Sequence, residues 1–266
     1  MVPKYRYEEF TWPEIRQAVI DRRVAVLPVG TVEQHGPHLP LVTDVMTATE
    51  MSRRAVERMP DRAILLPSVY YAFNEHHLDF PGTIAVAGQT FIEYVTDIGK
   101  SLAHHGFQKI LLVNGHGSNV PFLDIAARNI TNHTQSICAM IPWWNLVPRE
   151  LFAELRESEY PGGMAHGCEL ETSVLLYLQG DLVQMDKAQR DMPEQRSEFF
   201  FWDLQSPSPL FFQEFFSRYS RTGTLGDPSK ATVEKGRRFT EAVVERLMRL
   251  IAELREREIR DRVDHH

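Results

Sequence analysis

Cysteine is nearly absent: among 266 residues there are two, Cys138 and Cys168, far apart and in no paired motif. This excludes a disulfide scaffold and a cysteine-based zinc finger, and fits a reducing compartment. No apolar run is long enough to span a bilayer, and residues 1–10 hold no apolar signal core. Positive charge is in deficit, with 29 Lys and Arg against 36 Asp and Glu, a formal charge of −7 spread without a basic patch. Neither nucleic acid nor an anionic membrane is therefore an expected partner. Linkers, internal repeats and low-complexity tracts are also missing. So are the Gly-x-Ser-x-Gly of serine hydrolases and the early-strand His-x-His of TIM-barrel amidohydrolases. Hydrophobic residues nevertheless make up 43% of the chain, enough for a substantial core. These features predict one cytoplasmic domain over residues 1–266.

The stretch the chain is organised around runs from Pro28 to Asp44. It follows the apolar, β-branched run Val24-Ala25-Val26-Leu27, which reads as a buried strand. It gathers Glu33, His35, His38 and Asp44 among Gly30, Gly36, Pro37 and Pro40, residues that fix a loop shape. Further strands are expected at 64–66, 109–113 and 135–141. They alternate with helices at 11–22, 44–59, 90–105, 120–130, 148–157, from His166 onward, and 231–258. That alternation predicts an α/β fold with a mostly parallel sheet and helices on both faces. Residues 180–225 lack periodicity but carry Phe199-Phe200-Phe201-Trp202 and Leu210-Phe211-Phe212, apolar enough for a satellite core or an oligomer contact.

Three strand- or loop-to-helix junctions carry ionisable residues: Glu33, His35 and Asp44; His116 inside Asn114-Gly115-His116-Gly117-Ser118; and His166 with Glu169 and Glu171. In a parallel sheet such loops converge on one edge. Four or five carboxylates and imidazoles there suit two divalent metals bridged by a carboxylate, with open positions for water. A histidine outside the coordination shell would protonate the leaving nitrogen. Each residue also has a plainer reading. Asp44 fits a helix N-cap, the glycines around His116 fit a tight turn, and Trp143-Trp144 fits a core. Glu169 and Glu171 cannot share a helix face, so one of them should be solvated. His104, His105 and His133 fall at helix ends and read as surface residues.

The order and spacing of several motifs resemble the creatininase (creatinine amidohydrolase) family over most of the chain. They are Gly-Thr-Val-Glu-Gln-His-Gly-Pro-His-Leu-Pro from Gly30 through to Asp44, Phe80-Pro81-Gly82-Thr83, Val113-Asn114-Gly115-His116-Gly117, residues 166–173 and Gly223-Thr224-Leu225-Gly226-Asp227-Pro228. The resemblance implies a three-layer α/β/α sandwich, two divalent metal ions per chain (zinc, manganese or iron), and hydrolysis of a non-peptide C–N bond in a small-molecule amide. It also implies a homo-oligomer, a hexamer or a dimer. On the same ground Glu33, Asp44 and His116 look like ligands of one metal and His35 and Asp44 of the other, with Asp44 bridging. His166 resembles the catalytic histidine.

Two departures stand out. Creatininase has a Glu in the turn after its metal-binding His, where this chain has Ser118, and Glu171 is the expected replacement. It also has a Trp-Asp pair just before the catalytic His, where this chain has Gly162 and Gly163. A loop without those side chains cannot sandwich a flat creatinine ring, so another amide is expected. Trp144, Tyr70, Phe73, Glu75, His76 and Ser118 are the residues expected to shape the pocket. Other branches of the family deformylate a pyrimidine intermediate or trim a peptide during cofactor maturation. The competing expectations are a peptidase of that kind and a metal-binding assembly protein without catalysis.

Overall fold

The computed structural model describes residues 4–193 and 196–266. In chain order these form α1 (Trp12–Ile20), β1 (Val24–Val29), α2 (Thr43–Glu57), β2 (Ala63–Leu65), α3 (Gly88–His104), β3 (Lys109–Asn114) and α4 (Val120–His133). Then follow β4 (Ile137–Pro142), α5 (Arg149–Leu155), β5 (Met164–His166), α6 (Glu169–Gln179), β6 (Leu225–Gly226) and α7 (Val233–Glu256). The first four strands make a parallel sheet in the order β2-β1-β3-β4.

Because neighbouring side chains on a strand point to opposite faces, the apolar runs of β1 and β3 feed two cores at once. Val24, Val26, Leu111 and Val113 pack with α2, α6 and α7 on one face. Ala25, Leu27, Ile110 and Leu112 pack with α3 and α4 on the other. Two helical layers therefore enclose the sheet, the expected α/β/α sandwich.

The connectivity places the site. From β1 the chain passes through α2 to β2 on one side, then through α3 back past β1 to β3 on its other side. The winding direction thus reverses between β1 and β3. The crevice beyond the C-terminal ends of two such strands is where open α/β sheets bind ligands.

One junction differs from expectation. His166 does not open a helix; it closes β5, which pairs antiparallel with β6. Gly167 then turns the chain at a φ of 55°, and Cys168 is the extended residue before α6. Strands of three and two residues leave no periodicity to read. Residues 180–193 and 196–224 are irregular, as expected, with short 3-10 turns and a single bridge from Asp191 to Gly226 among the described residues. Among the described residues no helix is long and apolar enough to cross a membrane.

Candidate metal centre

Glu33, His35, Asp44 and His116 meet at the β1–β3 crevice. His35 Nε2 lies 3.0 Å from Asp44 Oδ1, and His116 Nδ1 lies 3.1 Å from both Asp44 Oδ2 and Glu33 Oε1. The local sequence explains the convergence. The loop after β1 folds back so that the Glu33 N–H bonds to Leu41 O. The Asn114 side chain brackets His116, accepting from its N–H and donating to its carbonyl, while Asn119 donates to Gly30 O and so ties the two loops together. A Cβ at Gly115 would collide with the Asp44 carbonyl oxygen. Glycine there lets the first turn of α2 come close enough to deliver its carboxylate. Asp44 is thus not the N-cap of α2; Val42 holds that position.

A second group adjoins the first. The His166 ring stacks on that of His35 at 4.1 Å between centroids. The Gln34 amide is oriented by the Gly36 N–H bonding to its Oε1, so its Nε2 donates to His77 Nδ1 at 2.9 Å. The Gln34 backbone carbonyl can only accept, so His166 Nε2, 2.7 Å away, carries a proton. His166 Nδ1 then faces Glu33 Oε1 at 3.8 Å. Glu171 reaches the same place from the first turn of α6. Its carboxylate lies within 4.8 Å of ligand atoms of His35 and His166. Glu169, two residues earlier, faces away, yet neither carboxylate is solvated as one of the two is expected to be. Glu169 is buried, accepting from Lys235 Nζ at 2.6 Å and from the backbone N–H groups of Glu157 and Ser158.

Burial and mutual charge set the protonation. Burial opposes a charge on His35, yet the Asp44 carboxylate holds its imidazole up at about 9. His116, equally buried, is held at about 10 by Glu33 and Asp44. Asp44 is in turn held well below the usual carboxylate range, burial being outweighed by the two imidazoles. Burial pushes Glu33 up, with His116 opposing it. It also pushes Glu171 up to about 7, against His35 and the backbone N–H groups of Gly167 and Cys168. His166 and His77 are driven well below the usual imidazole range by burial and by neighbouring rings.

These residues fit divalent cations. Both Glu33 carboxylate oxygens, Asp44 Oδ2 and His116 Nε2 are buried without an aligned hydrogen bond, although ion-pair partners lie close. Carboxylates packed this deeply need compensating positive charge. Protons on His35 and His116 supply it here, at nitrogens a metal would otherwise take. With Nε2 given to a metal, His35 would keep its Nδ1 on Glu33 O, 3.3 Å away, the backbone anchor common to metal-bound histidines.

The centre forms the floor of a cavity of about 860 Å³. Trp144, Phe73, His76 and Ser118 line it, and Ser118 Oγ is 3.0 Å from His76 Nε2. Glu75 and Tyr70, expected in the pocket, are exposed and do not line it. Residues 75–77 form one 3-10 turn, which sends His76 and His77 inward and Glu75 to solvent. Sequence reasoning missed His77, Gln34 and Phe216. The Phe216 ring stacks on His77 at 4.2 Å and meets His166 edge-on at 4.8 Å. His38, one of the loop's ionisable residues, bonds instead to Thr172 Oγ1.

A family model described as creatinine amidohydrolase matches residues 8–251. A creatinine amidohydrolase of Pseudomonas putida is 30% identical over 262 residues, covering 92% of this chain and 95% of that protein. A mycofactocin precursor peptide peptidase of Mycobacterium ulcerans (strain Agy99) is 30% identical over 254 residues, covering 91% and 86%. The solved structure of a manganese creatininase ("Creatininase Mn") is similar with a TM-score of 0.81 at 28% identity, over 96% of this chain and 100% of that one.

Proposed function

Because this chain belongs to the creatinine amidohydrolase family, we propose that it is an amidohydrolase cleaving a non-peptide C–N bond, a lactam or formamide. Its two divalent ions (zinc, manganese or iron) would be held by Glu33, His35, Asp44, His116 and Glu171. One observation supports this above the rest: Glu33 and Asp44 are buried between His35 and His116, with both Glu33 oxygens and Asp44 Oδ2 lacking an aligned hydrogen bond. Bound there, the metals would polarise the scissile carbonyl and lower the pKa of a water.

The chain's own residues supply the remaining parts. Asp44 turns Oδ1 toward His35 and Oδ2 toward His116, the arrangement a bridging carboxylate needs. His166 has its Nε2 proton committed to Gln34 O, so the proton it exchanges with the leaving nitrogen is at Nδ1. Phe216, buried over His77 and His166, keeps water from the far side of those rings.

The test is hydrolysis of a panel of lactams and formamides by purified, metal-loaded protein. Chelation should abolish activity and added metal restore it, and His166→Ala should retain metal while losing at least a hundredfold in kcat. Full activity after chelation, or in His166→Ala, contradicts the proposal.

A second reading is a peptidase, supported by the 30% identical peptide peptidase and by a cavity of about 860 Å³, roomy for a small lactam. Short peptides offered beside the lactams separate the two. Turnover of peptides alone assigns the peptidase.

A further inference from the structure

The cavity above the centre limits what can enter it. Its walls are aromatic, with Phe73, Phe122, Trp144, Trp202, Phe212 and Phe216 among them. Away from the centre the charged lining is acidic only: Asp124 from α4, and Glu214 from the irregular stretch before β6. Asp124 and Glu214 each pair with an arginine four residues on, Arg128 and Arg218. Neither arginine lines the cavity, nor does any other arginine or lysine among the described residues.

A phosphate or carboxylate placed in this space, beyond reach of the metals, would give up water and meet no cation in return. It would also face two carboxylates. A planar ring would find aromatic partners for stacked or edge-on contact. An ammonium group would find ring faces and an acidic rim.

We propose that the substrate is a ring-bearing amide whose end remote from the scissile bond is neutral or cationic. Asp124 and Glu214 make the cavity reject phosphorylated and carboxylated analogues. The inference rests on the amidohydrolase reading and names the substrate class of that site.

The experiment uses three formanilides that differ only at the para position: aminomethyl, methyl and carboxymethyl. The rigid ring holds the charge away from the metals whenever the formamide reaches them. Dissociation constants for metal-loaded protein are read from the initial change in tryptophan fluorescence on rapid mixing, before turnover, since Trp144 and Trp202 lie in the wall. The carboxymethyl compound should bind at least about tenfold more weakly than the methyl compound, and the aminomethyl compound at least as tightly as the methyl. Asp124→Lys should invert the order of the two charged compounds. Asp124→Asn with Glu214→Gln, which preserves shape, should shrink their ratio. Equal or tighter binding of the carboxymethyl compound by wild type, no binding of any of the three, or a ratio unmoved in the double variant overturns the proposal. Binding in the expected order without hydrolysis would contradict the amidohydrolase reading and leave the selectivity standing.

Discussion

Glu33 and Asp44 are compensated in the metal-free chain by protons on His35 and His116, and this makes stability depend on pH in a definite direction. Both imidazoles are raised above their ordinary 6.5, to about 9 and about 10. A raised folded-state pKa contributes stability that is fully present below the unfolded value and is lost as pH rises through the folded one. The metal-free protein should therefore melt at a progressively lower temperature between pH 7 and 10, while the metal-loaded protein, whose compensation does not titrate there, should fall less. Parallel melting curves with and without chelator test this; equal slopes contradict it. Glu169 makes a separate prediction. Its buried carboxylate is neutralised by Lys235, whose side chain is itself 9% exposed. Lys235→Met strands that charge and should cost about 3 kcal/mol of unfolding free energy, measurable by denaturant titration. Metal content should stay unchanged in the variant, because Glu169 faces away from the centre.

At the scale of elements, the centre depends on how closely α2 approaches the ends of β1 and β3. Gly115→Ala pushes a methyl group against the Asp44 carbonyl, so the first turn of α2 must retreat. The expected result is a stability loss of about 2 kcal/mol with helical content retained, and a much larger loss of metal affinity as Asp44 leaves the centre. A variant that binds metal like wild type contradicts this role. The elements that build the crevice were legible in the sequence because their signals are local. The runs at Val24 and Lys109 read as buried strands, and each ends in a glycine-containing loop that carries ionisable side chains. What was not legible depends on closure in three dimensions. His77 joins the site from a separate loop, its Nε2 3.6 Å from Glu33 Oε1 and its Nδ1 held by Gln34, itself oriented by Gly36. Phe216 arrives from a stretch without periodicity. Glu75 adjoins His76 in the sequence, but a 3-10 turn sends the two neighbours in different directions. Glu169 and Glu171 are both buried where one of the two is expected in solvent, because spacing along α6 says nothing about Lys235 on α7.

Over the whole molecule, the two cores are complete, but the surface near the cavity is not evenly polar. Phe199 is 60% and Phe211 86% exposed, with Leu210, Phe212 and Phe215 also open to solvent. Patches of this kind mark contact surfaces, and the expected state is a homo-oligomer. Light scattering at micromolar concentration should give a mass above that of one 30.7 kDa chain, and Phe211→Asp with Phe215→Asp should lower it; a wild-type monomer contradicts the expectation. In the proposed function the buried cluster holds two divalent ions, and Glu171 takes the ligand place that Ser118 leaves open. The most direct measurement is metal content per chain, by elemental analysis, on protein purified without a metal-affinity step, with Glu171→Gln alongside. Two equivalents in wild type, falling to about one in the variant, is the predicted result. One equivalent or none, unmoved by the substitution, would contradict the dinuclear centre and leave a metal-binding or assembly protein as the better description.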